Sequence, residues 1–382
     1  MAKRLTDLRP VYVVGIGWHR YQPGSDTPYV TLGLKAVRDA LADAGIGWQA
    51  VDTSYVGTAL LGMACGRPIL RHLGANGESI VHVENASASS SGAFRHACIE
   101  VASGISDVAL TLGIDKPGPL PNLDRRAGVA NLAAGEIVPA THFALLTDAY
   151  MHRHGASVED VARVALKYHA NGALNPNAQR QQARTLDEIL GGRPVSGSLT
   201  TLQCCPVGEG AAAVIVASEE AIARLGIDRA RAVRVAASAT RTERVYPPGT
   251  GFDAELTRQT TALALAEAGL APADLDVVEL HDAFTVEELH YVEAMGICPA
   301  GEAAARLRDG EFHIGASVAV NPSGGLIAMG HPIGPTGVGQ VAEISLQLRG
   351  EAGRRQQPGA RHGLAHMVGL GSVCYVHVLS RD

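Results

Sequence analysis

The sequence predicts an α/β protein built from two similar halves, and three observations carry this prediction. Of its 382 residues, 46% are hydrophobic, 4% are aromatic and 44 are glycine, which is typical of a globular chain with a large core. Helix-like and strand-like segments alternate, which favours parallel-rich sheets covered by helices. The third observation is an internal repeat, in which Ala-Leu-Ala-Asp-Ala-Gly at residues 40–45 recurs as Ala-Leu-Ala-Glu-Ala-Gly at residues 264–269.

Each copy of the repeat has the pattern of an amphipathic helix that ends at a glycine C-cap. An aspartate follows the glycine at the same interval in both copies, as Asp52 and Asp276. Short β-rich runs come next, at residues 54–57 and 277–280. The repeat therefore predicts the same helix–strand unit twice.

The two halves then continue with the same kinds of segment, namely a loop of small residues, a helix and an apolar strand. In the first half these are residues 85–92, 94–101 and 108–112, and in the second half they are residues 321–325, a helix through Val341, and a strand near 375–379.

We place the boundary between the halves near residue 227, after a predicted strand at 213–216, which gives domains 1–226 and 227–382. The first domain contains an insertion, at about residues 116–194, that lacks a clear sheet pattern and has helical runs such as 158–170. Long excursions of this kind often cover active sites, and a helical layer that only packs or dimerises is an equal alternative.

The charge balance and the cysteines exclude several classes of function. The formal net charge is -6 and no basic run is present, which disfavours nucleic-acid binding. The N-terminus has no apolar core, and no stretch reaches the roughly 18 apolar residues of a membrane helix, so we expect a cytoplasmic protein with no membrane partner. The six cysteines lack the spacing of zinc ligands, so we expect reduced thiols and no metal site.

Six short motifs follow one another in a distinctive order. They lie at residues 83–89 (Val-Glu-Asn-Ala-Ser-Ala-Ser), 202–206 with 210–213, 281–284 (His-Asp-Ala-Phe), 321–325 (Asn-Pro-Ser-Gly-Gly), 330–332 (Gly-His-Pro) and 369–371 (Gly-Leu-Gly). Together they resemble the thiolase superfamily, and in particular the sterol-carrier-protein-type thiolases. The resemblance implies two βαβαβαββ halves in a five-layered α-β-α-β-α sandwich, acyl-CoA thioesters as substrates, no permanently bound cofactor, and a homodimer.

The resemblance also implies the site residues. His331 matches the family's catalytic histidine, and His281 matches a residue that helps to form an oxyanion hole. Ser87 stands where the nucleophilic cysteine stands, in a loop just ahead of a helix N-terminus that favours developing negative charge. The alternative for Ser87 is a purely structural role as a small residue in a tight loop. The alternative for the two histidines is a structural role as hydrogen-bonded residues. Residues of the glycine-rich motifs are expected to bind substrate: Asn321, Ser323, Gly324 and Gly371.

All three positions at which a family member can carry a working thiol hold other residues here, namely Ser87, Ala283 and Met367. A serine hydroxyl is a far weaker nucleophile near neutral pH than a thiol, whose pKa is about 8.5. Cys374 lies past the last glycine motif, and we interpret it as a buried core residue. Glu287 and Tyr291 follow the His281 motif on a predicted helix, where packing or surface roles are favoured over acid/base roles.

We weigh three hypotheses. The first is carbon–carbon bond cleavage or formation beside an acyl-CoA thioester by non-covalent, retro-aldol-type chemistry, which needs a base and oxyanion donors but no thiol. The second is a β-ketoacyl-CoA thiolase or acyltransferase that uses Ser87 activated by His331. The third is a non-catalytic subunit that works with a small zinc-ribbon/OB-fold companion protein.

Overall fold

The computed structural model describes residues 4–118, 139–246, 252–369 and 373–381. The strands are β1 (Val11–Gln22), β2 (Thr53–Gly57), β3 (Ser79–Val83), β4 (Val108–Asp115), β5 (Pro194–Ser196), β6 (Leu199–Thr200), β7 (Glu209–Ser218), β8 (Val233–Thr242), β9 (Val277–Glu279), β10 (Ala319–Val320), β11 (His362–Gly369) and β12 (Val373–Ser380). The helices are α1 (Tyr29–Ala44), α2 (Gly66–Arg71), α3 (Ser89–Ser103), α4 (Pro139–His154), α5 (Val158–Gly172), α6 (Leu186–Leu190), α7 (Glu219–Leu225), α8 (Phe252–Ala268), α9 (Thr285–Ala294), α10 (Ala303–Arg308), α11 (Gly325–Ala328) and α12 (Thr336–Arg349).

The main sheet has ten strands and an internal symmetry. From its middle, the order runs outward as β1, β7, β4, β2 and β3 on one side, and as β8, β12, β11, β9 and β10 on the other. Strands β2 and β9 occupy equivalent places, and each is parallel to both of its neighbours. The halves join where Val13 of β1 pairs with Val233 of β8 in antiparallel register. The predicted duplication is therefore visible in the strand order.

Helices and half-sheets alternate in five layers. Helix α1 covers the outer face of the first half-sheet, where its Leu32 shares a core with Ile215. Helices α3 and α12 lie between the half-sheets, and their Phe94 and Val338 belong to one core with strand residues of both halves. Helices α8 and α9 cover the outer face of the second half-sheet. The predicted α/β fold of two similar halves in five layers is confirmed.

The two repeated aspartates accept equivalent backbone hydrogen bonds in the two halves. Asp52 Oδ2 accepts hydrogen bonds of 2.9 Å from the N–H groups of Asp107 and Val108, at the start of β4. Asp276 Oδ2 accepts hydrogen bonds of 2.8 and 2.9 Å from the N–H groups of Arg361 and His362, at the start of β11. Each carboxylate therefore ties the turn after the repeated helix to the strand next to its own.

The insertion is helical in its described part. It contains α4, α5 and α6, followed by the two-stranded hairpin of β5 and β6. The predicted helix at 158–170 is α5. Residues 119–138 of the insertion lie outside the described residues, and the domain boundary near residue 227 stays a prediction.

In the part of the chain that the structure describes, no helix is long and apolar enough to cross a membrane. No group of three or more histidine, cysteine or acidic side chains there is arranged to hold a metal ion. All six cysteines are free thiols, and five of them are buried.

The duplicated carboxylates give a stability prediction. We expect Asp52→Ala and Asp276→Ala each to lower the free energy of unfolding by about 1–2 kcal/mol, because each change leaves backbone N–H groups without their acceptor. Urea denaturation of both variants measures this. The exposed Asp26 is the control, and Asp26→Ala should stay within about 0.5 kcal/mol of the parent protein. A cost at only one of the two positions would show that they are not equivalent.

Candidate active site

The site is built where the N-termini of the two central helices touch. Val338 N–H of α12 donates to Ser90 Oγ of α3 at 3.0 Å. The approach needs small residues, since a Cβ on Gly337 would lie 2.1 Å from Ser91 Oγ. Two helix N-termini, one from each half, therefore converge, and the dipoles of the two helices favour negative charge at this point.

Ser87 lies just before α3, in a single 3-10 turn, Ala86–Ala88. Ala86 has φ 50, a left-handed conformation that a residue with a side chain rarely adopts. Two hydrogen bonds through Ser89 hold the turn, because its Oγ accepts from Asn85 N–H at 3.0 Å and donates to Ala86 O at 2.6 Å. The Ser87 side chain is left half-buried, within reach of a ligand.

His331 lies on the loop that leads into α12. The N–H of Gly334 in this loop donates to Asp115 Oδ2 at 2.7 Å. Asp115, at the end of β4, also accepts from Thr58 Oγ1 at 2.6 Å and from Leu60 N–H at 2.9 Å. Burial raises the pKa of Asp115, against these hydrogen bonds. One buried carboxyl group of the first half thus fixes the histidine loop of the second half.

The structure brings Ser87 and His331 into direct contact. Ser87 Oγ and His331 Nε2 are 3.0 Å apart, and His331 Nδ1 lies 2.9 Å from Thr336 Oγ1. Burial, together with the nearby His281, lowers the pKa of His331 well below its ordinary value. The ring is therefore neutral at neutral pH, and one nitrogen can accept a proton.

His281 faces His331, with ring centroids 5.5 Å apart and ring planes at 90°. Its Nδ1 lies 2.8 Å from Glu287 Oε1, so the carboxylate accepts the Nδ1–H. Glu287 also accepts from Tyr291 OH at 3.1 Å and from Phe284 N–H at 2.9 Å. These contacts leave Nε2 as the His281 nitrogen with no protein partner among the described residues.

The sequence analysis gave Glu287 a packing or surface role, and its contact with His281 shows a polar one instead. A second residue that the sequence analysis missed is His366 of β11. Its Nδ1 accepts from the His281 N–H at 3.4 Å, and its Nε2 lies 3.0 Å from Thr257 Oγ1. Burial and the nearby His281 lower the pKa of His366 to about 3, so it is a neutral support for the His281 loop.

The predicted substrate-binding residues Asn321 and Ser323 are engaged inside the protein. Asn321 Nδ2 donates to Asp282 Oδ1 at 2.8 Å, and its Oδ1 accepts from Leu280 N–H at 2.7 Å. Ser323 Oγ donates to Glu279 Oε2 at 2.7 Å. These bonds make Asn321 a support for the loop that carries His281, and substrate contact by either residue stays a prediction.

Of the two glycines predicted to bind substrate, the structure describes one. Gly324 has φ 105, and a Cβ there would lie 2.9 Å from the backbone of Gly172 in α5, so close packing accounts for it. Gly371 lies outside the described residues.

The three positions that could carry a thiol all border the site. Met367 packs against Ala88, beside the Ser87 turn. Ala283 lies in the His281 loop, where its carbonyl accepts from Cys205 N–H at 2.8 Å. Burial, and then the charge of Glu287, raise the pKa of the Cys205 thiol, so this neighbouring sulfur is protonated at neutral pH. The sequence alone predicts only a reduced thiol for Cys205, with no place beside the site.

The helical insertion reaches the site. The Phe143 ring of α4 stacks on the Phe284 ring at 4.4 Å between centroids. Phe284 follows Ala283 in the His281 motif, so α4 covers one side of the site with an aromatic surface.

Comparisons with known proteins match both halves of the chain. A family model described as "Thiolase, N-terminal domain" matches residues 19–190, and one described as "Thiolase C-terminal domain-like" matches residues 250–381. Sterol carrier protein 2 of Oryctolagus cuniculus is 35% identical over 402 residues, covering 98% of this chain and 72% of that protein. Benzoylsuccinyl-CoA thiolase subunit BbsB of Thauera aromatica is 34% identical over 374 residues, covering 95% of each chain.

Two solved structures have the same fold. An Ltp2-ChsH2(DUF35) aldolase superposes with a TM-score of 0.83 at 25% identity, covering 98% of each chain. Human mitochondrial 3-ketoacyl-CoA thiolase in complex with CoA superposes with a TM-score of 0.73 over 98% of each chain; at 20% identity this similarity shows the fold alone.

The thiols give a prediction for the native protein. Burial raises the pKa of all six, to about 11 for Cys204, so little thiolate exists at about pH 7.5. We expect a disulfide reagent such as DTNB to react slowly with the native chain and to titrate all six cysteines in denaturant. One fast-reacting thiol in the native protein would contradict this and would reveal an activated cysteine.

Proposed function

This chain belongs to the thiolase superfamily, among the sterol-carrier-type members, and from that premise we propose that it makes or breaks a carbon–carbon bond next to an acyl-CoA thioester by non-covalent aldol-type chemistry. The observation that carries the proposal is the perpendicular pair of His281 and His331, each with a different partner, at a position without a thiol nucleophile. The two imidazole rings face each other close to the N-termini of α3 and α12.

In the cleavage direction the substrate is a β-hydroxyacyl-CoA. His331 Nε2 accepts the proton of the β-hydroxyl group, and the bond between the α and β carbons breaks. A carbonyl compound leaves, and the electron pair of the broken bond forms the enolate of the shortened acyl-CoA. The protonated His331 then returns the proton to the α carbon, so atoms and charge balance without a second CoA.

His281 has the role of stabilising the enolate oxygen. Glu287 accepts the Nδ1–H and orients the ring, so that Nε2, when it carries a proton, can donate to an oxyanion. The N-termini of α3 and α12 favour the same negative charge. Two side chains of the same type thus take different roles because their surroundings differ. Neutral His331 is the base, and His281, held by Glu287, is the donor.

The second candidate is a β-ketoacyl-CoA thiolase or acyltransferase, favoured by one contact. Ser87 Oγ lies 3.0 Å from His331 Nε2, within reach for a base that activates a nucleophile. In that reaction Ser87 would carry the acyl group, and free CoA would be required. The proximity of α3 would support the developing charge.

A third candidate is a subunit that completes a partner's site. One related structure is named as an aldolase of Ltp2 with ChsH2(DUF35), and one relative is named as a thiolase subunit. These names support a companion protein for this chain. A homodimer, and acyl-CoA as the substrate, also belong to the proposal.

Variants of Ser87 and His331 separate the candidates. We expect His331→Ala to lower turnover of β-hydroxyacyl-CoA by more than about 10³-fold, because the base is lost. Ser87→Ala should cost less than about tenfold. Aldehyde or ketone release, measured without added CoA, checks both.

A loss above about 10³-fold in Ser87→Ala would contradict the aldol proposal in favour of covalent chemistry. Ser87→Cys is the matched variant, since it places a thiol at this position. CoA-dependent cleavage of β-ketoacyl-CoA by this variant and not by the parent protein would support the aldol proposal for the parent. An inactive chain that gains turnover only with a companion, while His331→Ala is neutral, would support the subunit role.

Glu287 is a positioning residue in this proposal. We expect Glu287→Gln to lower kcat about 10- to 100-fold with little change in KM, because the amide keeps the packing but replaces the charged acceptor that orients the His281 ring with a weaker, neutral one. Tyr291→Phe removes only one of the donors to the same carboxylate and should cost less than about fivefold. Equal losses in both variants would argue for a packing role of the pair.

A further inference from the structure

A basic cleft lies on the second half of the molecule and shares no lining residue with the candidate active site. Its volume is about 390 Å³, which is in the range of small-molecule sites. Helix α5 forms one wall, and α10 with the loop after it forms the other. Arg163, Arg308, His313 and Arg354 line it, and none of its lining residues is acidic. The whole chain has a net charge of -6, so overall composition does not explain a cationic cleft.

Polar atoms of the cleft lack partners. Arg163 Nε is buried and has no hydrogen-bond partner, and the same holds for His313 Nε2. Arg354 forms no ion pair with any residue that the structure describes. Arg308 is different, because it contacts Asp160 at 2.8 Å. Buried N–H groups are rarely left unpaired, so the Nε–H of Arg163, which lines the cleft, calls for a ligand that accepts from it.

The loop that carries His313 is held in a strained conformation. Phe312 is a bulky residue with φ 69, in the left-handed region that such residues rarely adopt. The fully buried Lys167 fixes it, since its Nζ donates to Phe312 O at 3.3 Å and to Val320 O at 3.1 Å. Lys167 also pairs with Glu288 at 2.8 Å, so its charge is satisfied inside. The wall of the cleft is therefore preformed.

The shape and charge identify the ligand class. Arginine guanidinium groups bind phosphate through paired N–H donors, and this cleft is lined by two arginines without an ion pair among the described residues, Arg163 and Arg354. Leu166 and Leu307 supply an apolar surface in the same cleft. We propose that this cleft binds a small phosphate ester with an apolar ring, of the nucleotide type, separately from the acyl-CoA site.

Calorimetric titration of the full chain with ADP tests the proposal. We expect the double variant Arg163→Gln with Arg354→Gln to weaken ADP binding by about tenfold or more. Arg38 is the matched control, an exposed arginine on α1 in the other half, and Arg38→Gln should change binding by less than about twofold. Inorganic phosphate should bind more weakly than ADP, and adenosine should not bind.

Several outcomes would overturn the proposal. If the double variant binds ADP as tightly as the parent protein, the cleft is not the ADP site. If adenosine binds as tightly as ADP, the site does not recognise the phosphate group. If inorganic phosphate binds as tightly as ADP, the apolar surface does not contribute to binding. Where turnover is measurable, the double variant should keep the parent KM for acyl-CoA; a tenfold rise would mean that the cleft holds acyl-CoA itself. Binding is read without catalysis, so failure here leaves the proposed function untouched, and the converse also holds.

Discussion

The abutment of the two central helices is the constraint on which the candidate site depends. Gly337 of α12 lies against Ser91 of α3 with no room for a side chain, and Val338 N–H donates to Ser90. This contact joins the two halves at the N-terminal ends of equivalent helices. It brings the Ser87 turn, which precedes one helix, to the His331 loop, which precedes the other. A bulkier residue at position 337 would push these two loops apart and would separate two N-termini that favour negative charge.

The two histidines differ in role because their second partners differ. His331 is held by the hydroxyl group of Thr336 and is buried beside another ring, which favours its neutral form. His281 is held by the carboxylate of Glu287, which accepts the Nδ1–H and orients the ring. In the reaction that we propose, His331 is the base and His281 is the donor to the enolate oxygen.

More of the fold than of the candidate site could be predicted from the sequence. The repeated Asp52 and Asp276, each after a glycine C-cap, are local signals, and the halves that they predict are present. The partners of the histidines are not local. Asp115 lies 219 positions before Gly334, whose loop it fixes, and no spacing in the sequence relates them. Glu287 is near His281 in sequence, but its contact depends on how α9 turns after the loop, which tertiary packing decides.

The absence of a thiol at positions 87, 283 and 367 is consistent with the negative charge of Glu287. Burial and then this carboxylate raise the pKa of Cys205, the thiol beside the His281 loop. The same carboxylate accepts the His281 Nδ1–H and fixes the ring. A negative group at this position therefore opposes a thiolate at Cys205. A sulfur nucleophile here would need positive charge next to the thiol. Cys205 is thus not suited to replace the thiol that is absent at position 87, and the aldol chemistry that we propose needs none.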